Sequence, residues 1–358
     1  MSMKILYSFN KKGAEEQFWS GEIAAASTER YQFIPFNHVQ YLESMPVRAQ
    51  LLDDLYYDRH PGLMKMYDDF RAVIERERPE AVIVDNAMPY HPDFLRTVPI
   101  YKVMRTSDGP ITAYDRDFAY AHAYDHILYH SPAYSRDMGM AEKLRYVGKD
   151  NTDWWPFGVF DAAFDTTQTD ETIVAHERDI DVIFIGFPYR NKLPMMSQVM
   201  KALGKRLLMI GFNWKYNVYM NAKYGWSGLA HGPIKPGRAY VDYYQRAKIG
   251  FNIHNRGDYT VGSYRLFELP ANGVMQISDG GEYLNEFFEV GKEIERHSSA
   301  DELIDKIRYY LAHDDERRRI ALGGYRRAMK DHRFKHRMQQ AGELIERGMQ
   351  RINFRRSS

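Results

Sequence analysis

The segment Gly262–Gly273 reads GSYRLFELPANG, and the apolar run Val274–Ile277 follows it directly. Arg265 and Glu268 stand three residues apart at the start of a predicted short helix, and the glycine that ends the segment lets the chain turn into a buried strand. A helix N-terminus and an arginine attract a diphosphate, while a carboxylate accepts hydrogen bonds from ribose hydroxyls. The segment therefore predicts part of an α/β domain whose side chains suit a sugar nucleotide.

Composition limits the class of protein. At 358 residues the chain exceeds the length at which one core usually keeps growing, so we expect two domains. The balance of 49 basic and 48 acidic residues gives no global attraction to nucleic acid or anionic membrane. The lack of cysteine excludes disulfides, thiolate metal sites and cysteine nucleophiles. No run has the length of a membrane span or a signal peptide, so we expect a cytoplasmic protein without a membrane span.

Strand-type and helix-type segments alternate along the first half. The predicted strands are Lys4–Phe9, Tyr31–Phe36, Ala81–Asp85, Ile100–Met104 and Ile127–His130. Alternation of this kind predicts a doubly wound parallel sheet, whose ligand crevice lies beyond the carboxyl ends of the strands.

A change of composition at 151–170 predicts a linker, after which the alternation begins again. The predicted strands there are Asp181–Gly186, Arg206–Ile210, Ile249–Ile253 and Val274–Ser278, and the predicted helices are Lys192–Leu203, Val241–Ala247 and Tyr264–Asn272. Charged amphipathic helices follow, the last from Arg333 to Gly348, and Arg351–Ser358 has the composition of a frayed basic tail. The sequence therefore predicts two doubly wound domains.

The first group of candidate donor-binding residues follows the strand Asp181–Gly186. Gly186 permits close approach of the backbone, and Arg190 or Lys192 can neutralise a pyrophosphate, although basic residues in such a loop are also common as solvated side chains. Other candidates have two open interpretations each. His254 and Asn255 either contact the sugar or form a turn, and His231 and Gly232 either present backbone groups to a base or form a plain loop.

The quoted segment contributes Tyr264, Arg265 and Glu268 to the same group of donor-binding candidates. For Glu268 the alternative to ribose binding is a carboxylate that complements the helix dipole. For Arg265 the alternative is an ordinary salt bridge.

Candidates on the acceptor side come from the first half. Asp108 follows a strand and offers either a catalytic carboxylate or a turn-forming side chain before Gly109. His122 is either a catalytic histidine or a structural one. His122, His126 and His130 are spaced four apart, but a strand begins near Ile127, so we expect no metal site. The sequence contains no P-loop, no G-x-G-x-x-G after the first strand and no G-x-S-x-G, which argues against NTPases, dinucleotide oxidoreductases and α/β-hydrolases.

The second half resembles a known family. The residues that carry the resemblance are Asp181–Gly186 with Arg190, the run YVDYYQRAKIGFNI from Tyr240 to Ile253, Arg265–Glu268 with Ala271–Gly273, Phe287–Glu293, the helix Leu303–Leu311 and HRFKHR from His332 to Arg337. This series is similar to the CgeB-like glycosyltransferases, which are related to spore maturation proteins and have the GT-B fold. The resemblance is weaker over Ala123–His126 and Trp154–Gly158, and the first hundred residues match only in general architecture.

The resemblance implies two Rossmann-like doubly wound domains that face each other across a cleft. An acceptor domain would comprise 1–155 with a C-terminal helix 333–350 that crosses back, and a nucleotide-sugar domain would comprise 170–330. It also implies that no metal or other cofactor is needed, because side chains and a helix N-terminus neutralise the leaving diphosphate.

The resemblance further implies roles for individual residues. Arg190 and Arg265 stabilise the leaving diphosphate, Glu268 binds the ribose, and Asp108 is the base on the acceptor side. Retaining enzymes of this fold often carry Glu-x7-Glu, and Glu268 occupies the second position while Thr260 occupies the first. Asp258 lies close by as an alternative, so the stereochemical outcome stays open.

The expected function is therefore metal-independent transfer of a sugar, hexosyltransferase-like, from a nucleotide sugar that we expect to be a UDP-sugar. The acceptor stays open among a glycan, a peptide, a small metabolite and modified DNA. Two other interpretations are a sugar-nucleotide epimerase on the same fold and a noncatalytic, nucleotide-sugar-binding surface or spore-associated protein.

Overall fold

The computed structural model describes residues 2–12, 14–42, 45, 52–86, 88–106, 117–186, 189–211, 230–231, 238–254 and 262–357. The chain divides into two compact units, of which the first combines Met1–Pro156 with Phe334–Ser358 and the second is Phe157–Arg333. Among the described residues, each unit contains a parallel sheet of six strands.

The first sheet has the order β2-β1-β3-β4-β5-β6. Its strands are β1 (Met3–Phe9), β2 (Tyr31–Asn37), β3 (Ala81–Asp85), β4 (Tyr101–Thr106), β5 (His126–Tyr129) and β6 (Thr152–Trp154). Every residue of β3 is buried, as in a strand covered by helices on both faces. The strand order reverses direction between β1 and β3, which is where ligands bind in open α/β sheets.

Helices of the first unit cover this sheet. They are Ala14–Ala25, Val39–Leu42, Leu52–Tyr57, Pro61–Glu77, Pro92–Arg96, Met140–Tyr146 and Phe334–Ser357, with a 3₁₀ segment at Phe118–Ala123. The predicted linker 151–170 is not a plain connection, because it contains β6 and the buried rings of Trp155, Phe157 and Phe160. Burial of these rings outweighs the polar composition of the residues around them.

The C-terminal helix, Phe334–Ser357, is longer than the sequence indicates. The prediction of an end near residue 350 and of a frayed tail from Arg351 is wrong. Arg351 donates to the carboxylate of Asp153, which favours continued helical structure at that point. The Arg30 guanidinium also pairs with Glu346 at 2.5 Å.

The second sheet has the order β12-β11-β10-β7-β8-β9. Its strands are β7 (Ile180–Ile185), β8 (Leu207–Ile210), β9 (Ala230–His231), β10 (Ala247–Asn252), β11 (Met275–Ser278) and β12 (Glu295–Arg296). The order reverses between β7 and β10, whose residues Val182 and Ile249 are paired in register.

The helices of the second unit are Asp170–Ala175, Leu193–Leu203, Arg238–Arg246, Arg265–Ala271, Ala300–Ala312 and Asp314–Asp331, with 3₁₀ segments at Asp161–Ala163, Gly204–Arg206 and Gly281–Glu286. Most predicted elements lie where the sequence indicates, with ends displaced by a few residues. Within the described ranges, no helix combines the length and apolar character needed to cross a bilayer.

Candidate nucleotide-binding site

Two candidate donor residues of the second unit, Gly186 and His254, lie at the carboxyl edge of its sheet together with Asp279. Gly186 directly follows β7, His254 lies two residues after β10, and Asp279 directly follows β11. Because these three strands are parallel neighbours, their carboxyl ends lie at one edge, next to the reversal of strand order. At Gly186 a Cβ atom would lie 3.1 Å from the Phe184 ring, so a larger residue would displace that ring.

Two basic side chains lie in the segment after β7. Arg190 is exposed and has no side-chain partner among the described residues, whereas Lys192 is half-buried. Burial lowers the pKa of Lys192 to about 8; the negative charge of Asp279 partly opposes this effect, and the positive charge of Arg265 adds to it. Lys192 is therefore close enough to Asp279 and Arg265 for their charges to act on it.

Glu268 lies in the first turn of the helix Arg265–Ala271 and has a fixed orientation. Its Oε2 atom accepts a hydrogen bond of 2.8 Å from the hydroxyl of Tyr244 and lies 4.0 Å from Nε of Arg265. The other carboxylate oxygen accepts no hydrogen bond from the described residues, and 13% of the side chain is exposed. The carboxylate is thus fixed through Oε2, while Oε1 has no hydrogen-bond partner in the part of the chain that the structure describes.

Arg265 is held as a cation next to this carboxylate. Its guanidinium lies 5.8 Å from the ring centre of Tyr240. Burial lowers the pKa of Arg265, but the charge of Glu268 and the phenols of Tyr244 and Tyr240 together raise it above its ordinary value. A positive charge therefore stays beside Glu268 at every working pH.

His254 and Asp279 form a buried pair after β10 and β11. Asp279 accepts the backbone N–H of His254 at both carboxylate oxygens, at 3.0 and 2.7 Å, and its Oδ1 lies 2.6 Å from Nδ1 of the imidazole. Because an ionised carboxylate only accepts, Nδ1 carries the proton of this bond. Nε2 of His254 is buried and has no hydrogen-bond partner among the described residues.

Tyr264 has a packing role at the start of the same helix. Its ring stacks on Phe157 with centroids 4.2 Å apart and also contacts Phe160 at 5.6 Å. These contacts fix the start of the helix, and the assignment of Tyr264 to donor binding stays a prediction.

The remaining candidates fall in several places. Asp108, Gly232 and Asn255 lie outside the described residues. His231 belongs to β9, where it pairs with Ile210, and its side chain also lies outside the described part. His122 is exposed in the 3₁₀ segment before β5, at the amino edge of the first sheet, where the Lys149 ammonium donates to its carbonyl oxygen at 3.3 Å. The structure does not bring His122 to the carboxyl edge where a catalytic residue was expected, because the direction of β5 places it at the opposite end.

The three regularly spaced histidines have separate surroundings. His126 is buried and pairs with Asp153 at 2.8 Å, and His130 contacts the carbonyl oxygen of Thr106 at 2.9 Å. Among the residues that the structure describes, no three histidine, aspartate or glutamate side chains gather as metal ligands do.

Sequence reasoning missed two side chains of this site, Tyr244 and Asp279. Tyr244 lies inside a helix, where aromatic residues usually mark the core, and nothing in the local pattern indicates its contact with Glu268. Asp279 directly follows a buried strand, which is the signal that led to His254 and Gly186.

The comparisons with known proteins agree with this architecture. Residues 192–343 match a protein-family model described as Glycosyl transferase-like. Sucrose-phosphate synthase from Thermosynechococcus elongatus is similar at 13% identity and a TM-score of 0.64, with 96% of this chain and 98% of that chain covered. A glycosyltransferase from Rickettsia africae is similar at 11% identity and a TM-score of 0.62, with 97% of this chain and 99% of that chain covered. Alr3699/HepE of Anabaena, in complex with UDP-glucose, is similar at 14% identity and a TM-score of 0.61, with 96% of this chain and 99% of that chain covered.

These similarities establish the fold. The chain has the GT-B fold, with two units that each contain a parallel sheet, as predicted. No curated protein sequence matches the chain. The CgeB-like assignment within the fold stays a prediction.

Proposed function

We propose that the chain transfers a sugar from a nucleotide sugar, expected to be a UDP-sugar, to a hydroxylated or amine-bearing acceptor. The observation that carries the proposal is the fixed Glu268 carboxylate beside the Arg265 guanidinium, whose positive charge also acts on Lys192, at the carboxyl edge of the second sheet. A carboxylate binds the two ribose hydroxyls, and adjacent cations bind the diphosphate. The matched family region, 192–343, includes all three residues.

In the proposed reaction, the bond between the anomeric carbon and the diphosphate oxygen breaks, and the nucleoside diphosphate leaves with the electron pair. Arg190, Lys192 and Arg265 stabilise the negative charge that develops on that oxygen. An acceptor atom bonds to the anomeric carbon and gives its proton to a base, for which Asp108 is the candidate. The first unit would hold the acceptor.

We also propose that neither a metal nor another cofactor takes part. The support for this is that two cationic side chains, Arg265 and Lys192, lie close enough for their charges to interact and can together neutralise a diphosphate. Activity should therefore persist in EDTA, and its loss in EDTA with recovery on addition of Mg²⁺ or Mn²⁺ would contradict the proposal. We further propose a cytoplasmic location and an acceptor that is a glycan, a peptide, a small metabolite or modified DNA.

The decisive experiment measures release of nucleoside diphosphate and the fate of the sugar for a panel of nucleotide sugars. Transfer should appear as diphosphate release that increases with acceptor. Conversion of the donor without an acceptor and without diphosphate release would instead identify an epimerase, and binding without turnover would identify a noncatalytic binding protein.

Two variants assign the activity to the site. Glu268→Ala should weaken donor binding by about 1.5–3 kcal/mol, the scale of a hydrogen bond to a charged group. Glu295→Ala is the control, because Glu295 is a buried glutamate that likewise has a tyrosine partner, Tyr310, at 2.9 Å. Equal losses of donor affinity in both variants would show that Glu268 only supports the fold.

A further inference from the structure

We propose that Tyr244 is a positioning residue that fixes the Glu268 carboxylate and thereby makes the site select ribonucleoside diphosphates over their deoxy analogues. The inference rests on the proposed function and specifies the class of donor.

Tyr244 is anchored along its whole length. The residue has 0% of its surface exposed, and its backbone carbonyl oxygen accepts a 2.9 Å hydrogen bond from Nη1 of Arg178. At the other end its hydroxyl lies 2.8 Å from Oε2 of Glu268. Because the phenol cannot move freely, the bond restricts Glu268 to one orientation.

The direction of this hydrogen bond is fixed as well. Burial, and then the charge of Glu268, raise the pKa of the Tyr244 hydroxyl well above its ordinary value. The phenol therefore stays protonated and donates, while Glu268 accepts. One lone pair of the carboxylate is used in this way, and the remaining ones, including both on Oε1, accept no hydrogen bond from the described residues and can accept from ligand hydroxyls.

A fixed, largely buried acceptor discriminates strongly. A ribose supplies the hydrogen bonds that the carboxylate needs, whereas a deoxyribose leaves a buried acceptor unpaired, which is costly. Without Tyr244 the carboxylate can rotate toward water or toward Arg265, so the cost of a missing hydroxyl decreases. Loss of the phenol hydroxyl should thus lower the ratio of ribo to deoxy affinity by a larger factor than it lowers the affinity for the deoxy ligand.

The experiment compares Tyr244→Phe with Tyr310→Phe. Each substitution removes one hydroxyl that donates to a glutamate, the partly buried Glu268 in one case and the buried Glu295 in the other. Titration calorimetry measures affinities for UDP, GDP and ADP and for the 2′-deoxy and 2′,3′-dideoxy forms of whichever binds. We expect the wild type to prefer the ribo form by about tenfold or more, in keeping with a hydrogen bond to a charged group. Tyr244→Phe should reduce this ratio at least about threefold, and Tyr310→Phe should leave it unchanged.

The outcomes separate the two proposals. If the wild type binds no nucleoside diphosphate, or binds ribo and deoxy forms equally, the proposed role of Glu268 fails and the inference fails with it. If the wild type discriminates and Glu268→Ala abolishes discrimination while Tyr244→Phe keeps the full ratio, only the inference is overturned. Similar losses of thermal stability in the two tyrosine variants, with a change of ratio in Tyr244→Phe alone, would establish it.

Discussion

Lys192 is a half-buried lysine whose lowered pKa should affect phosphate binding. Its pKa of about 8, set mainly by burial, means that the free protein loses this positive charge within the range of ordinary assays. Asp279, after β11, and Arg265, on the neighbouring helix, are the charged groups that act on it. Because a diphosphate binds the protonated amine, affinity should be greatest below pH 8 and should fall above it.

UDP binding should therefore depend on pH. Between pH 8 and 9 the protonated fraction of a group with a pKa of 8 falls about fivefold, so the dissociation constant should rise by a similar factor. Lys192→Arg should remove this dependence, because arginine stays charged. Calorimetric titrations of the wild type and Lys192→Arg with UDP from pH 6.5 to 9.5 test these two expectations. The same change of the dissociation constant with pH in both proteins would show that Lys192 does not contact the phosphate.

The same shift has a consequence for stability. The folded pKa lies below the unfolded value of 10.5, so the unfolded chain binds the additional proton. The contribution of Lys192 to the free energy of unfolding should therefore rise with pH between about 8 and 10.5, opposite to its effect on phosphate binding.

The His254–Asp279 pair provides a second residue-scale prediction. Asp279→Asn can donate its amide hydrogens to Nδ1, which would transfer the imidazole proton to Nε2. Measured at pH 6.5, where Lys192 keeps its proton with or without the Asp279 charge, this variant should weaken UDP-glucose but leave UDP within about twofold if Nε2 of His254 contacts the sugar. The matched control is Asp153→Asn, which alters the buried pair with His126 in the other unit. Equal losses of affinity for UDP and UDP-glucose would show that the His254–Asp279 pair only supports the fold.

The helix Arg265–Ala271 shows how an element fixes the site. Its seven residues include Pro270, and Asn272 and Gly273 end it, the latter at a φ of 65°. A Cβ atom at Gly273 would lie 2.5 Å from Ile173 and 2.9 Å from Arg178, so the turn depends on glycine. Spacing and turn together place Arg265 and Glu268 beside each other.

Arg178 connects this helix to the helix that carries Tyr244. Its guanidinium donates to the carbonyl oxygens of Tyr244, Ala247 and Asn272 at 2.7–2.9 Å. Arg178→Met should leave these acceptors without a donor and lower the free energy of unfolding by at least about 2 kcal/mol. Arg326→Met, which removes an exposed ion pair with Asp170, should change it by less than about 1 kcal/mol. Chemical denaturation measures the free energy of unfolding of the two variants. Equal decreases in Arg178→Met and Arg326→Met would contradict the role of Arg178.

Patterns of neighbouring residues are sufficient to predict the strands that carry the site. Apolar runs bounded by glycine and polar residues locate β7, β10 and β11, and parallel topology then brings Gly186 and His254 to one edge. Tyr244 is different, because its contact with Glu268 depends on the packing of two helices that no local pattern describes. Arg351 is similar, since its partner, Asp153, lies 198 residues away.

At the scale of the whole molecule, the C-terminal helix completes the first unit through close packing. A Cβ atom at Gly342 would lie 2.7 Å from the Tyr31 ring, and one at Gly348 would lie 2.5 Å from the His126 imidazole. The Trp155 indole donates to the carbonyl oxygen of Arg337 at 2.6 Å. The helix is therefore an integral layer of this unit.

Deletion of residues 334–358 should destabilise the first unit, which would unfold at lower temperature than the second in calorimetry. Gly348→Leu should act in the same direction while it keeps the helix. Gly21→Ala is the control, because no atom lies within 4 Å of the added Cβ and alanine favours the exposed helix. An unchanged thermal profile in both altered proteins would show that the helix contributes little.

The interrupted first unit also affects the order of events during translation. The second unit is one continuous segment and can fold as soon as it leaves the ribosome, but the first unit must wait for residues 334 onward. Until then the surfaces of Tyr31 and Trp155 that this helix covers stay exposed on the nascent chain. Ribosome stalling or premature termination beyond residue 156 should therefore yield products that depend strongly on chaperones, although most of their sequence has already been made.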